Sequence, residues 1–299
     1  MSTWLFFALL SPILWAVTNP LDAAVRRNYI KNDFAITWLF ACQRFILAFL
    51  VFAFWAAWQG FEAQYLLMSL AGIFWTFPML LYFRALENEE PSRVALFLQF
   101  VPVFAFLIAS VFLGENLSTQ QFFAFILILI GGAIAAFKKV DQQWNFSSGF
   151  YLICLAGFLW ATSDVMFQAF ETMFDNFPLA FAYFFAGSGL PWLLTFLLPK
   201  TAKRFWGMAK KMEAKGWGFL ITANLVGLAG SCTFAYALTL GKVSLTAVLI
   251  GAQPLFVMIF SVIMSRLFEE IPKERFARLD ILMKLSSFVL IMIGLYLLN

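Results

Sequence analysis

The chain has 299 residues, 63% of them hydrophobic and only 12% charged, with a mean hydropathy of +0.87 and a formal charge of +4. Soluble domains carry about 25% charged residues, and a chain with half that share, 40 Phe and 11 Trp cannot close over one core and stay in water. An ordinary soluble enzyme, a disordered tail and a nucleic-acid binder are thereby excluded, and the lack of histidine removes His-based metal sites, Ser-His-Asp or Cys-His nucleophiles and imidazole relays.

A bilayer core of about 30 Å is crossed by about 20 apolar helical residues. Ten such runs follow one another at 3–25, 34–58, 64–84, 92–113, 118–137, 147–170, 177–198, 217–240, 243–267 and 278–298. They predict an all-α membrane protein of ten transmembrane helices; the strand alternation of a membrane barrel is not seen. The first run lacks a basic flank and continues past Pro12 and Pro20, unlike a signal peptide. Cys42, Cys154 and Cys232 each sit alone in an apolar run and read as small buried hydrophobes.

In run one, Trp15 lies near mid-membrane, where an indole N–H needs a partner. Asn19 follows about one turn later, and Asp22, near the basic end, reads as a partner for Arg26 or Arg44. Arg44 lies inside run two. A guanidinium there could grip a substrate carboxylate or phosphate, but the first reading is a structural ion pair or gate. Run three brings Trp75 near the midplane and Tyr82 toward one end. Run four holds Gln99 just before Pro102, and proline frees a backbone carbonyl one turn earlier. Run five is nearly featureless.

Run six carries Trp160 and then Asp164, a carboxylate costly enough in a span to face a cavity, a partner or a proton path. Gly187, Gly189 and Pro191 in run seven allow close packing or bending. Residues 199–216 are the longest connection; Phe205, Met208 and Met212 at helical spacing among lysines suggest an amphipathic helix on anionic headgroups. Run eight has Asn224 and Tyr236, run nine has Gln253 and Pro254, and Lys284 in run ten is close enough to an end to snorkel.

All but three of the 20 Lys and Arg fall in connections after odd-numbered runs; the exceptions are Lys242, Arg44 and Lys284. Positive-inside then places those connections in the cytoplasm and both termini outside. The two halves also repeat. Leu10, Leu14, Trp15 and Ala16 match Leu155, Leu159, Trp160 and Ala161 at an offset of 145, with Asn19 opposite Asp164. Ala85, Leu86, Ser92, Ala95, Pro102 and Phe104 match Ala237, Leu238, Ser244, Ala247, Pro254 and Phe256 at an offset of 152. A repeat of five spans enters the membrane inverted, and inverted repeats allow two packings that open to opposite sides.

The stretches Leu14-Trp15-Ala16, Gln43-Arg44-Phe45, Tyr82-Phe83-Arg84-Ala85-Leu86, Pro102 through Leu113-Gly114-Glu115, and Gly131-Gly132 resemble the EamA domain of the drug/metabolite transporter superfamily. A second copy resembles it in Leu159-Trp160-Ala161, Phe234-Ala235-Tyr236-Ala237-Leu238, Pro254, Glu269 or Glu270, and Gly294. The resemblance implies two five-helix repeats, residues 1–140 and 141–299, forming a ten-helix carrier of small metabolites that works by alternating access. The sequence departs from the usual family pattern in its outward termini and in the longer spacing from Pro254 to Glu269.

The expected partners are a small-molecule substrate and the lipid bilayer of a cell (inner) membrane, with no nucleic acid, no cofactor and no metal; a monomer and a homo-oligomer both stay open. Trp15, Asn19, Trp75, Tyr82, Gln99, Trp160, Asp164, Asn224, Tyr236 and Gln253 are the candidate substrate-binding residues, with Arg44, Pro102 and Pro254 as structural or gating positions. The transported class would be an amino acid, an amine or a related amphipathic solute. The alternatives are a flippase for a lipid or lipid-linked substrate, or a non-transporting accessory subunit. A single cysteine at Lys210 in a cysteine-free background is expected to react with impermeant reagent from the cytoplasmic side only; labelling from the outer side would contradict the charge-based orientation.

Overall fold

A computed structural model describes residues 3–54, 62–116, 118–140, 143–273 and 278–298. Residues 55–58 of the second apolar run and Arg275 of the basic count lie outside the described residues. Every apolar run contains a helix. The first half comprises α1 (Thr3–Ala24), α2 (Asp33–Phe54), α3 (Leu66–Thr76), α4 (Met79–Asn88), α5 (Pro91–Phe97), α6 (Val101–Phe112) and α7 (Thr119–Ala136). A short antiparallel hairpin, β1 (Phe137–Val140) with β2 (Gln143–Phe146), joins it to the second half. There follow α8 (Ser148–Glu171), α9 (Phe177–Leu194), α10 (Pro199–Ala209), α11 (Ala214–Leu240), α12 (Val243–Val248), α13 (Gln253–Leu267) and α14 (Arg278–Leu298).

Among the described residues, seven helical stretches are long and apolar enough to cross a membrane, and an eighth if the bent pair around Gln253 is one span. Large apolar side chains such as Phe54, Phe112 and Tyr296 are more than three-quarters exposed on the outside of the bundle. Water would not tolerate so much apolar surface. The chain is a multi-pass membrane protein.

Helix ends and breaks follow the prolines and capping residues. Ser147 accepts from the Phe150 N–H at 3.3 Å and Asn176 from the Leu179 N–H at 3.0 Å, as N-caps do. Pro91 and Pro199 stand in the first turns of α5 and α10, where a missing N–H costs nothing. Inside a span proline is disruptive. Pro78 separates α3 from α4, Pro102 follows a 3-10 turn at Leu98–Phe100, and Pro254 follows one at Leu249–Ala252.

The helices pack in pairs that join the halves. α1 lies along α11, α2 along α9 and α7 along α14, while α8 packs on α3, α4 and α6, and α1 also meets α13. Small residues permit the tightest of these approaches. A Cβ on Gly72 would overlap the Phe184 carbonyl, and one on Gly187 would overlap that of Ser69. Ser69 Oγ donates to the Tyr183 carbonyl at 2.9 Å and Ser163 Oγ to that of Ala71 at 2.8 Å, so α3 is bonded to both neighbours. The amphipathic segment is helical over α10 and again from Ala214, where α11 begins; its Phe205 ring packs 4.5 Å from that of Trp38, and Met208 and Met212 lean on the main core.

The ion pairs gather at the end of the bundle formed by the connections after runs one, three, seven and nine. Arg26 bonds Asp33 at 2.6 Å and Glu87 at 2.8 Å, and Lys215 bonds Glu270 at 2.6 Å. Two expectations are corrected here. Arg26 is engaged by Asp33 and Glu87 rather than by Asp22. Lys284 does not snorkel: it is 9% exposed and pairs with Glu90 at 2.6 Å, because α14 brings it beneath the loop that opens α5.

Gly187→Ala is expected to destabilise the protein by about 1–3 kcal/mol or more, since backbone rather than a pliable side chain would have to move. Thermal unfolding in detergent measures this, and an unchanged midpoint would contradict the close approach of α3 and α9.

Candidate functional site

The breaks in α3–α4, α5–α6 and α12–α13 surround a cavity of about 110 Å³. Cavities of about 150 Å³ hold one benzene-sized molecule, so the space suits a small solute rather than a peptide. Eight of the thirteen residues singled out in the sequence meet there: Trp15, Asn19, Arg44, Trp75, Tyr82, Trp160, Asp164 and Gln253. Thr18, Asp22, Phe40, Met79, Leu98, Val101, Gly227, Ser231, Phe234 and Ile250 complete the wall.

The two tryptophans find their partners in backbone carbonyls at the opposite half. Trp15 Nε1 donates to the Gly227 carbonyl at 3.3 Å, and Trp160 Nε1 donates to the Trp75 carbonyl at 2.8 Å. These bonds are equivalent: 15 and 160 differ by 145, and 75 and 227 by 152, the two offsets of the sequence repeat. The same offsets pair most of the wall. Asn19 pairs with Asp164, Met79 with Ser231, Tyr82 with Phe234, Leu98 with Ile250, and Val101 with Gln253. Thr18, Asp22, Phe40 and Arg44 have no counterpart on the wall.

A directed chain of hydrogen bonds runs across one side. Gln253 Nε2 donates to Asn19 Oδ1 at 2.8 Å, Asn19 Nδ2 to the Tyr82 hydroxyl at 2.7 Å, and that hydroxyl to Asp22 Oδ2 at 3.0 Å. The chain links α13 of the second half to α1 and α4 of the first. Arg44 lies with its guanidinium 4.1 Å from the centre of a Trp75 ring and 5.9 Å from that of Phe40. This is a cation–π arrangement. Among the described residues Arg44 makes no ion pair, so the structural ion pair expected for it is absent; it is held by aromatic faces. Among the described residues Asp164, 5% exposed, has neither hydrogen bond nor ion pair.

The other candidates lie outside the cavity wall. Gln99 is buried behind it, and its Nε2 donates to the Ala95 carbonyl at 3.1 Å and to the Ile250 carbonyl at 3.4 Å. Ile250 is four residues before Pro254, whose missing N–H cannot serve that carbonyl; the amide of one half thus covers the break in the other. Pro102 and Pro254 are buried at the two breaks they cause. Asn224 is 8% exposed one turn before Gly227, and its Oδ1 has no hydrogen-bond partner. Tyr236 stands edge-on to Phe7 at 4.9 Å and Phe177 at 5.3 Å, away from the cavity.

Sequence reasoning left Phe234 out of the site and gave Asp22 only a structural role as partner of Arg26 or Arg44. Phe234 was findable: it, not Tyr236, stands opposite Tyr82 at the offset of 152. Among the described residues no cluster of three His, Cys, Asp or Glu is placed to hold a metal.

Residues 2–137 match the EamA-like transporter family. No curated protein matches the chain. Among solved structures, 28 chains match. One, a crystal structure, covers 99% of this chain and 96% of its own with a TM-score of 0.66 at 14% identity, a likeness of fold alone. The EamA-like match ends where the hairpin begins, so it spans the first of the two helical halves.

Asn19→Ala is expected to cost about 1–3 kcal/mol, because it strips partners from both Gln253 and Tyr82 in a buried site. Asn224→Ala, which removes an amide whose Oδ1 is already unpaired, should cost less. Thermal unfolding of the two variants side by side checks the order; equal effects would contradict the hydrogen-bond chain.

Proposed function

We propose that the chain is a secondary-active or facilitative transporter that moves a small metabolite, such as an amino acid, an amine or a related amphipathic solute, by alternating access. In this reading the ten helical runs are ten spans, residues 1–140 and 141–299 are inverted five-helix repeats, and the cavity is the substrate site. The protein would sit in the cell (inner) membrane with both termini outside.

The observation that carries the reading is the pairing of the cavity wall. Seven pairs of residues related by the repeat offsets meet around one space, as expected where a site straddles the axis between two halves. The packing pairs agree with the same exchange: α1 on α11 corresponds to α8 on α3, and α2 on α9 and α7 on α14 each map onto themselves. Inverted repeats favour this arrangement because exchanging the two conformations closes one end and opens the other. The EamA-like match over residues 2–137 adds support for the class of activity.

The aromatic lining suits a solute with an apolar or cationic part. A flippase needs a lateral path wide enough for a headgroup, and the cavity is small for that. The basic surface of α10 is the feature that favours lipid handling.

Purified protein in proteoliposomes is expected to take up one or more labelled amines or amino acids. Trp15→Ala and Trp160→Ala should each reduce uptake at least about tenfold, the effect of some 1.4 kcal/mol. Uptake unchanged in both variants would contradict the site, and lipid scrambling without solute uptake would favour the flippase.

A further inference from the structure

We propose that the cavity selects a solute bearing one net positive charge and no carboxylate, with its cationic group held at Asp164. The proposal rests on reading the cavity as the substrate site. It starts from a count of charges. Three ionic side chains line the wall: Asp22, Arg44 and Asp164. Asp22 and Arg44 lie near enough for their charges to act on each other, whereas no charged side chain acts on Asp164. Asp22 is further held by the Tyr82 hydroxyl, and Arg44 by the Trp75 ring. Asp164 has none of this.

When all three are ionised, the side chains of the wall sum to one net negative charge. A zwitterion or a neutral solute leaves that charge in place, an anion adds to it, and a monocation cancels it. In a buried site an uncompensated charge is costly, so the balance weighs on affinity.

Access points the same way. Arg44 Nε and Nη1 have no hydrogen-bond partner but are sealed from the cavity. Those two nitrogens are closed to a substrate carboxylate; Nη2 is not sealed, but it belongs to a guanidinium on whose charge Asp22 already acts. The Asp164 oxygens are not sealed, and Asp164 lies four residues after Trp160, on the same side of α8. The N–H groups of Trp160 and Trp15 are already given to backbone carbonyls. What these indoles can still offer a ligand is their ring surface, which attracts cations. The contact between Arg44 and Trp75 shows one such pairing already made by the protein itself.

The test uses the full-length protein in detergent and a matched set of probes: phenethylammonium and choline as monocations, phenylalanine as zwitterion, 3-phenylpropionate as anion and 2-phenylethanol as neutral compound. Calorimetry and thermal shift should report binding of a monocation and little or none of the other three. Asp164→Asn should weaken monocation binding by about 30-fold or more, as loss of one partner from a buried charge pair does, and Asp164→Glu should recover part of it. If Asp164→Asn unfolds, Asp164→Glu and the probe ranking on the wild-type protein still decide the matter. Phenylalanine, phenylpropionate or phenylethanol binding as tightly as the monocations would overturn the proposal, as would an unaffected Asp164→Asn or no binding of any probe. Phenylalanine bound and carried across proteoliposomes would overturn it while leaving the transport reading intact. A monocation bound through Asp164 but never carried would overturn the transport reading alone.

Discussion

In hydrocarbon no water waits to accept the hydrogen bonds that a helix drops, so each polar group freed inside the bundle must be met by another part of the chain. That constraint organises this molecule. Prolines at 78, 102 and 254 break three helices at about the same depth, and the groups that answer the breaks come from across the bundle. Gln99 reaches the carbonyl that Pro254 cannot serve. Trp160 bonds the Trp75 carbonyl near the break at Pro78, and Trp15 bonds Gly227 at the equivalent place. Irregular backbone in a membrane persists where it is buried in protein or lines a cavity, and here it does both.

The halves match in position but not in chemistry. Asn19 stands opposite Asp164, Val101 opposite Gln253, and Tyr82 opposite Phe234, and the first half alone adds Asp22 and Arg44. A symmetric scaffold thus encloses an asymmetric interior. The two halves bring matching positions to the wall, and the departures from that match give the cavity its polarity. Contacts between the halves occur at both ends. At the charged end Lys284 pairs with Glu90, and Asn28 donates to the Glu270 carbonyl at 2.8 Å. At the other, Trp4 Nε1 donates to Thr246 at 3.0 Å and Ser244 bonds Glu115.

Much of this was legible in the sequence because a bilayer simplifies the reading: length and apolarity mark a span, and proline marks its break. All ten runs contain helices, and Trp15 and Trp160 were recognisable as equivalents from the motif around them. Position along a span is not direction. Gln99, Asn224 and Tyr236 lie at suitable levels on faces turned away from the cavity, and a single sequence with apolar residues on every face of a helix offers little to orient them. Gln99 and Gln253 looked like a pair because each precedes a proline, yet they stand three residues and one residue before it. That difference sends Gln99 behind the wall and Gln253 into it. The partners of Lys284 and Arg44 were hidden for a related reason. These, Glu90 and the Trp75 ring, are distant in sequence and brought close only by packing.

The account turns on two halves moving about a central cavity. Distances between spin labels measure that motion directly: one pair at positions 88 and 273 for the charged end, another at 116 and 175 for the opposite end. With a transported solute added, the distance distribution should widen at one end and narrow at the other. Two ends that stay fixed, or that open together, would contradict alternating access about this cavity.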